Sequence, residues 1–409
     1  MSARLPTLRR CLLPMAVLAA LLAMPAAAEL AVSREVGLPL QAARQALDGK
    51  RYDVALKEVD KARAVATITA QEKWAVEQMR AAIYKAQGRF DLAATAFEAA
   101  ITLVPLSEAD QAGALETLAQ LWYRSGDYGK SVAFGEKAMA AGRRSDGFRH
   151  MVAEAYYRSK EPAKAAKLLH AWADDLRKAG RSLSSEAQQL LAASEFMSGN
   201  NEGYIKALRQ QLQVESTREN WQRLLDAMAK GKPVPERLDL DWARLKLAVN
   251  AYDNPDSLTE MAQRAMVEEL PAEAAAALDQ GWASGLLGKP GPKLERQQRL
   301  REYATTQLAA QKQGLEERQR QVLAGKDANT IAKLGMVYAS LGQPDQAIAL
   351  LQQALKGKLI SPAAVRLRLG MLQYRAGQNQ AAAQTMAALP AGSDEARLGG
   401  VWGLIYLQR

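Results

Sequence analysis

A small residue, an aromatic three positions on, a glycine four positions later, then a second run of small and apolar residues: this order recurs along the chain and limits what it can fold into. Ala81, Tyr84, Gly88, Phe90, Ala93, Phe97, Ala100 and Pro105 give it in full. Ala81 and Tyr84 share one face of a first helix. Gly88 can end that helix in the left-handed conformation. Ala93, Phe97 and Ala100 share one face of a second helix, which Pro105 stops. Ala119, Trp122, Gly126, Tyr128 and Ala138 repeat the order, and Ala153, Tyr156, Ala165 and Leu169 repeat it again with Lys160 in place of the glycine. Weaker copies run through Ala192, Gly199 and Leu208, and upstream through Tyr52, Ala55, Val59 and Ala62. Near the end, Gly335, Tyr338, Gly342, Ala347, Leu351 and Ala354 form a clear copy, followed by Gly370, Gly377, Ala382 and Met386.

This order resembles the tetratricopeptide (TPR) motif, down to the terminal proline. The resemblance implies an all-α fold, a right-handed α-solenoid of helix-turn-helix repeats whose concave face holds a protein or peptide. The spacing runs at about 34 to 39 residues against the family's 34. Between Gly199 and Gly342 the pattern weakens, with room for four more periods. Ala262, Ala265, Pro271, Ala274 and Leu278 mark one of them, and Leu294 to Leu323 reads as a long helical pair with Gly314 as a break. Alanine, leucine, glutamine, arginine and glutamate dominate and favour helices. A coiled coil fails because no heptad persists for more than a few turns. Separate bundles leave the shared order of glycine, aromatic and alanine unexplained.

The first residues read as a secretory signal. Arg4, Arg9 and Arg10 are a basic start, Leu12 to Met24 is apolar and uncharged, and Ala26-Ala27-Ala28 supplies the small residues before a cut at Glu29. The apolar stretch is short of the ~20 residues a bilayer-crossing helix needs, and no second run reaches that length. Cys11, the only cysteine, precedes the apolar stretch, so a lipoprotein anchor is not expected. The expected compartment is the periplasm, and without cysteine the exported chain has no disulfide and depends on packing. The expected organisation is a signal at 1–28, an N-terminal solenoid lobe at 29–230 and a C-terminal helical lobe at 236–409 with a capping helix from Ala396 to Gln408. Gly231 to Pro235 and Gly288 to Pro292 combine glycine and proline and read either as joints or as long loops.

The formal charge is +10, and +7 without the three arginines of the signal. That is mild for the length, with acids interspersed. No dense basic stripe with interleaved aromatics suggests nucleic acid. Only two histidines occur, His150 and His170, on the two helices of one repeat. Two ligands without a third make a poor metal site. No phosphate loop, nucleophile elbow or zinc-protease motif occurs. Adjacent carboxylates such as Asp174-Asp175 and Glu268-Glu269 point about 100° apart on a helix and read as solvated faces. Neither catalysis nor a cofactor or metal is expected.

One local feature recurs. Tyr123-Arg124, Tyr157-Arg158 and Tyr374-Arg375 each stand just before an inter-helix turn. In the TPR family this end of the first helix lines the concave groove, so the resemblance implies a ladder there, with Glu116, Gln120 and Glu154 on the same face. Arginine suits a carboxylate through its planar fork, and tyrosine offers contact area at small entropic cost. The expected function is a periplasmic scaffold that binds a partner with acidic or carboxylate-bearing segments. The alternative is a cell-envelope assembly factor or chaperone-like protein for envelope polymers or outer-membrane proteins. The pattern also resembles exported bacterial TPR proteins, some of them associated with the TonB system that powers outer-membrane transporters.

Overall fold

The computed structural model describes residues 32–252 and 254–406. The signal reading at 1–28, with Cys11, lies outside them. Every regular element among the described residues is helical, twenty-one α-helices and a 3-10 turn at Glu236–Leu238. Consecutive helices pair as the sequence order requires. The chain divides into two compact units, one ending at Leu183 and the other beginning at Ser184. The glycine–proline segments at 231–235 and 288–292 both lie inside the second unit.

The first unit contains four hairpins: α1 (Arg34–Asp48) with α2 (Tyr52–Arg63), α3 (Ala70–Ala86) with α4 (Phe90–Ile101), α5 (Glu108–Ser125) with α6 (Tyr128–Ala140), and α7 (Asp146–Arg158) with α8 (Pro162–Lys178). Three of the four turns reuse one device, and after α5 the Asp127 N–H bonds the Ser125 hydroxyl at 3.3 Å instead. After α3, Gly88 takes φ +75°, its N–H bonds the Lys85 carbonyl at 3.0 Å, and the Arg89 N–H bonds the Tyr84 carbonyl at 2.9 Å. This satisfies the carbonyls a helix end leaves orphaned. Lys160 makes the same turn after α7 with φ +65°, so the backbone geometry persists where the glycine does not.

The small residues set the helix spacing. Ala93 and Ala94 of α4 are fully buried against Ala81 of α3, and the space beside them is filled by Phe97, Leu118, Leu121 and Trp122. Burying one such large side chain contributes roughly 1.5–3 kcal/mol. Ser131 of α6 tucks its hydroxyl under α5 and donates to the Ala119 carbonyl at 2.9 Å. Gly135 of α6 faces Val152 of α7 so closely that a Cβ would lie 2.7 Å from a valine methyl. The odd-numbered helices also touch each other, α1 with α3 and α5 with α7.

The second unit holds α9 (Ser185–Met197) with α10 (Asn201–Val214), α11 (Arg218–Gly231), α12 (Asp239–Ala248), α13 (Pro255–Val267) with α14 (Pro271–Ala283), α15 (Leu294–Gln313), α16 (Leu315–Gly325), α17 (Ala328–Ser340) with α18 (Pro344–Ala354), α19 (Pro362–Arg375) with α20 (Asn379–Ala387), and α21 (Asp394–Tyr406). The expected long helical pair is α15 and α16, joined at Gly314. It is the least buried part of the unit, with only Gln297 and Ala304 fully enclosed. The last helices return to the first ones. Arg397 of α21 donates to the carbonyls of Met228 and Lys232 at 3.1 and 2.6 Å, and Arg237 reaches Glu395 at 2.9 Å. Helix α21 therefore covers α19 with Leu398, Val401 and Trp402 and also binds the end of α11.

Candidate functional site

In the first unit the two Tyr-Arg pairs lie at the ends of alternate helices. Tyr123 and Arg124 end α5, and Tyr157 and Arg158 end the neighbouring α7. The Tyr123 ring meets Tyr128 edge-on, with centroids 5.6 Å apart. Arg158 lies over the Tyr128 ring at 5.4 Å, and its guanidinium donates to Glu154 at 2.8 Å and to the Tyr128 hydroxyl at 3.3 Å. Burial raises the Tyr123 hydroxyl above its ordinary range, and its hydrogen bond to Glu154 raises it further. Arg158 is raised as well: burial opposes this, but the hydrogen bond and charge of Glu154 outweigh it. Tyr123, Glu154, Arg158 and Tyr128 are thus one closed network between α5, α6 and α7. Tyr157 is half-buried against the same core.

The two arginines are not equivalent. Arg158 already has its carboxylate. Arg124 is exposed and stacks its guanidinium over Phe90 at 5.4 Å, and no described carboxylate pairs with it. Lys85, at the end of α3, lies within reach of its charge. Burial lowers the Lys85 ammonium from its ordinary range, and the charge of Arg124 lowers it further. No acid offsets either effect. Lys85 was not legible as part of the ladder because the ladder was read from the Tyr-Arg pair. Aligning Gly88 with Gly126 would have found it, since Lys85 and Tyr123 both stand three residues before their turn glycine.

The remaining expected residues divide. Glu116 of α5 pairs with Arg143 of the α6–α7 loop, so its charge is answered. Gln120 is half-buried on the same helix. Tyr374 and Arg375 end α19 in the second unit, and the structure does not give Tyr374 an open wall. Its ring is 3% exposed and stacks on Tyr406 of α21, centroids 5.6 Å apart and 5° from parallel. Arg375 beside it is exposed. His150 and His170 are half-buried on α7 and α8, and among the described residues no three metal-ligating side chains gather. No described helix is long and apolar enough to cross a membrane.

Two segments match the tetratricopeptide repeat family, residues 78–105, from within α3 through α4, and residues 328–356, spanning α17 and α18. One falls in each unit. No curated protein matches the chain. Among solved structures, the chain is similar to a tetratricopeptide repeat protein from Parabacteroides merdae, with 12% identity, 67% of this chain and 100% of that chain covered, and a TM-score of 0.33. It is similar to the TPR2AB-domain:pHSP90-complex of yeast Sti1, with 14% identity, 73% and 98% coverage and a TM-score of 0.25. It is also similar to the P58(IPK) TPR domain, with 14% identity, 84% and 99% coverage and a TM-score of 0.25.

Proposed function

We propose that this chain, a tetratricopeptide-repeat protein, is a scaffold whose first unit holds an acidic or carboxylate-bearing segment of a protein partner along α3, α5 and α7, and that it works in the periplasm. Proteins built of these repeats are generally non-catalytic scaffolds, and stacked hairpins leave an extended wall rather than a pocket. The basic, apolar and small-residue run at 1–28 supports export.

The observation that carries the partner's chemistry is the uncompensated pair Lys85 and Arg124. Two cations within electrostatic reach of each other, one of them half-buried, disfavour each other, and a carboxylate that approaches both relieves each. A hydrogen bond to a charged group contributes about 1.5–3 kcal/mol. Tyr123 and Phe90 supply apolar surface on either side. Arg158 acts differently here: tied to Glu154 and Tyr128, it fixes the wall rather than receiving the partner.

The test is in vivo crosslinking from position 123 or 157, with identification of the trapped protein. The variant combining Lys85→Glu with Arg124→Glu should lose that protein while keeping its helical content, and Arg158→Gln should retain most of the binding. Undiminished binding of a verified partner by the Lys85/Arg124 variant overturns the reading. Recovery of the exported chain in the cytoplasmic fraction overturns the compartment.

A further inference from the structure

The second unit contains a small open cavity of about 170 Å³ between α12, the α13–α14 turn, α17 and α19. Its walls are mostly apolar, with Leu240, Leu270, Met336, Leu351 and Val365 among them. An apolar cavity of about 150 Å³ holds a molecule the size of benzene, so this one has room for a single apolar side chain. We propose that it binds a free α-amino acid with an apolar side chain, which fills the cavity while the ammonium group meets Glu268 and the carboxylate meets Lys333.

The charges at the mouth are the first reason. Among the described residues that line the cavity, Glu268 is the one acid, and Lys333 stands on the opposite element, α17. Both are exposed, and no described residue pairs with either. An amino acid carries one charge of each sign on the carbon that bears its side chain. Lys333 has its ammonium on a flexible four-carbon stem and can follow the carboxylate of ligands that seat at different depths. A fatty acid would leave Glu268 unanswered and facing a like charge. A side chain presented by a protein partner would cover Glu268 and Lys333 without supplying either counter-charge, and desolvating an unpaired charge is costly.

The back wall is the second reason. Arg244 and Arg368 also line the cavity, but their charges are already met. Arg244 donates to Asp241 at 2.6 Å and to both oxygens of Glu273 at 2.7 and 2.8 Å. Arg368 donates to both oxygens of Asp241 at 3.1 and 3.0 Å. Two arginines and two acids cancel, so the wall calls for a ligand without net charge, as a zwitterion is. The remaining terminal nitrogen of Arg368 has no described partner and is a second donor for the carboxylate. The lip is fixed as well: the Ile360 N–H donates to the Asn329 side-chain oxygen at 3.0 Å. Ile360 lines the cavity yet is 89% exposed, and a ligand's alkyl chain would shield it from water.

The probes are leucine, isoleucine, methionine and phenylalanine, each beside its N-acetyl amide, which keeps the side chain and loses both charges. Glycine and hexanoate complete the set. Binding to the full chain is read by isothermal titration calorimetry. At least one of the four amino acids should bind tenfold or more tightly than its N-acetyl amide, and glycine should not bind. Glu268→Gln and Lys333→Gln should each weaken that amino acid tenfold or more with helical content unchanged. Absence of binding by all four overturns the proposal, as does an affinity that neither variant alters. An N-acetyl amide that binds as tightly as its amino acid overturns it and assigns the cavity to a partner's side chain. Hexanoate binding that depends on Lys333 while no amino acid binds overturns it and assigns the cavity to a carboxylic acid. The Lys85/Arg124 variant should bind the amino acid as the parent does, so failure of the first-unit reading leaves this one standing.

Discussion

Arg368 of α19 donates from two nitrogens to the carboxylate of Asp241 on α12, at 3.0 and 3.1 Å, across 127 residues of sequence. Asp241 is 1% exposed and also accepts from Arg244 at 2.6 Å, while Arg244 reaches on to Glu273 at 2.7 Å. Burial pushes the Asp241 carboxyl up, but the charges of Arg368 and Arg244 outweigh that and hold it below its ordinary range. Removing one member of a buried charge cluster leaves the others unpaired, at a cost of about 3–5 kcal/mol. Asp241→Asn should therefore lower the stability of the second unit by about that amount. Urea unfolding followed by circular dichroism checks it, and a change under 1 kcal/mol would show that the cluster contributes little.

A contrast of two glycines tests whether small residues set the helix spacing. Nothing lies within 4 Å of a Cβ placed on Gly113, whereas one on Gly135 meets Val152 methyls at 2.7 and 3.3 Å. Valine is stiff at χ1 and fully buried here, so it gives way poorly. Gly113→Ala should raise stability by about 0.5–1 kcal/mol through helix propensity. Gly135→Ala should lower it, because overpacking at about 1–3 kcal/mol exceeds the same gain. Midpoints of urea unfolding for the two variants should move in opposite directions.

Lys160 occupies a left-handed turn where the other hairpins of the clear repeats have glycine. An L-residue with a side chain costs about 1–2 kcal/mol there, and glycine's freedom in the unfolded chain offsets part of the difference. Lys160→Gly should stabilise the first unit by about 1 kcal/mol. A thermal midpoint unchanged or lowered in differential scanning calorimetry would place an unseen requirement on the lysine.

Glu72 gives the first unit a predicted acid sensitivity. Its carboxylate accepts from the Ser33 and Thr69 backbone N–H groups, both at 2.8 Å, and so ties the start of α1 to the cap of α3. Its hydrogen bonds to Ser33, then to Thr69, lower its pKa from 4.5 to about 2. A carboxyl depressed in the folded state contributes stability that is fully present above its unfolded pKa and lost as pH falls through its folded one. The loss should fall between about pH 4.5 and 2. Unfolding free energies measured across that window should decline less steeply for Glu72→Gln than for the parent.

The resemblance read from Ala81 to Pro105 was sufficient for the helix pairing, because its signals are local. A helix face is set by spacing of three and four residues, and a left-handed stop by a single residue, so hairpins could be placed even where Lys160 replaced the glycine. The long pair at 294–323 and its break at Gly314 were legible for the same reason. The ladder at Tyr123, Arg124, Tyr157 and Arg158 was legible as a position, since each pair stands at a fixed distance from its turn.

What those residues do there was not legible. Arg124 and Arg158 are alike in sequence, yet one is held by Glu154 and Tyr128 and the other lies within reach of the Lys85 charge without an acid. Tyr374 fits the ladder by register, yet α21 lays Tyr406 across it. The sequence by itself determined the elements of this protein, because helix periodicity and turn chemistry act over a few residues. Only the tertiary structure decided which side chains face each other, as with Arg368 on Asp241 and Arg397 on the end of α11. Such contacts join positions more than a hundred residues apart, and no short-range pattern encodes charge pairing over that distance.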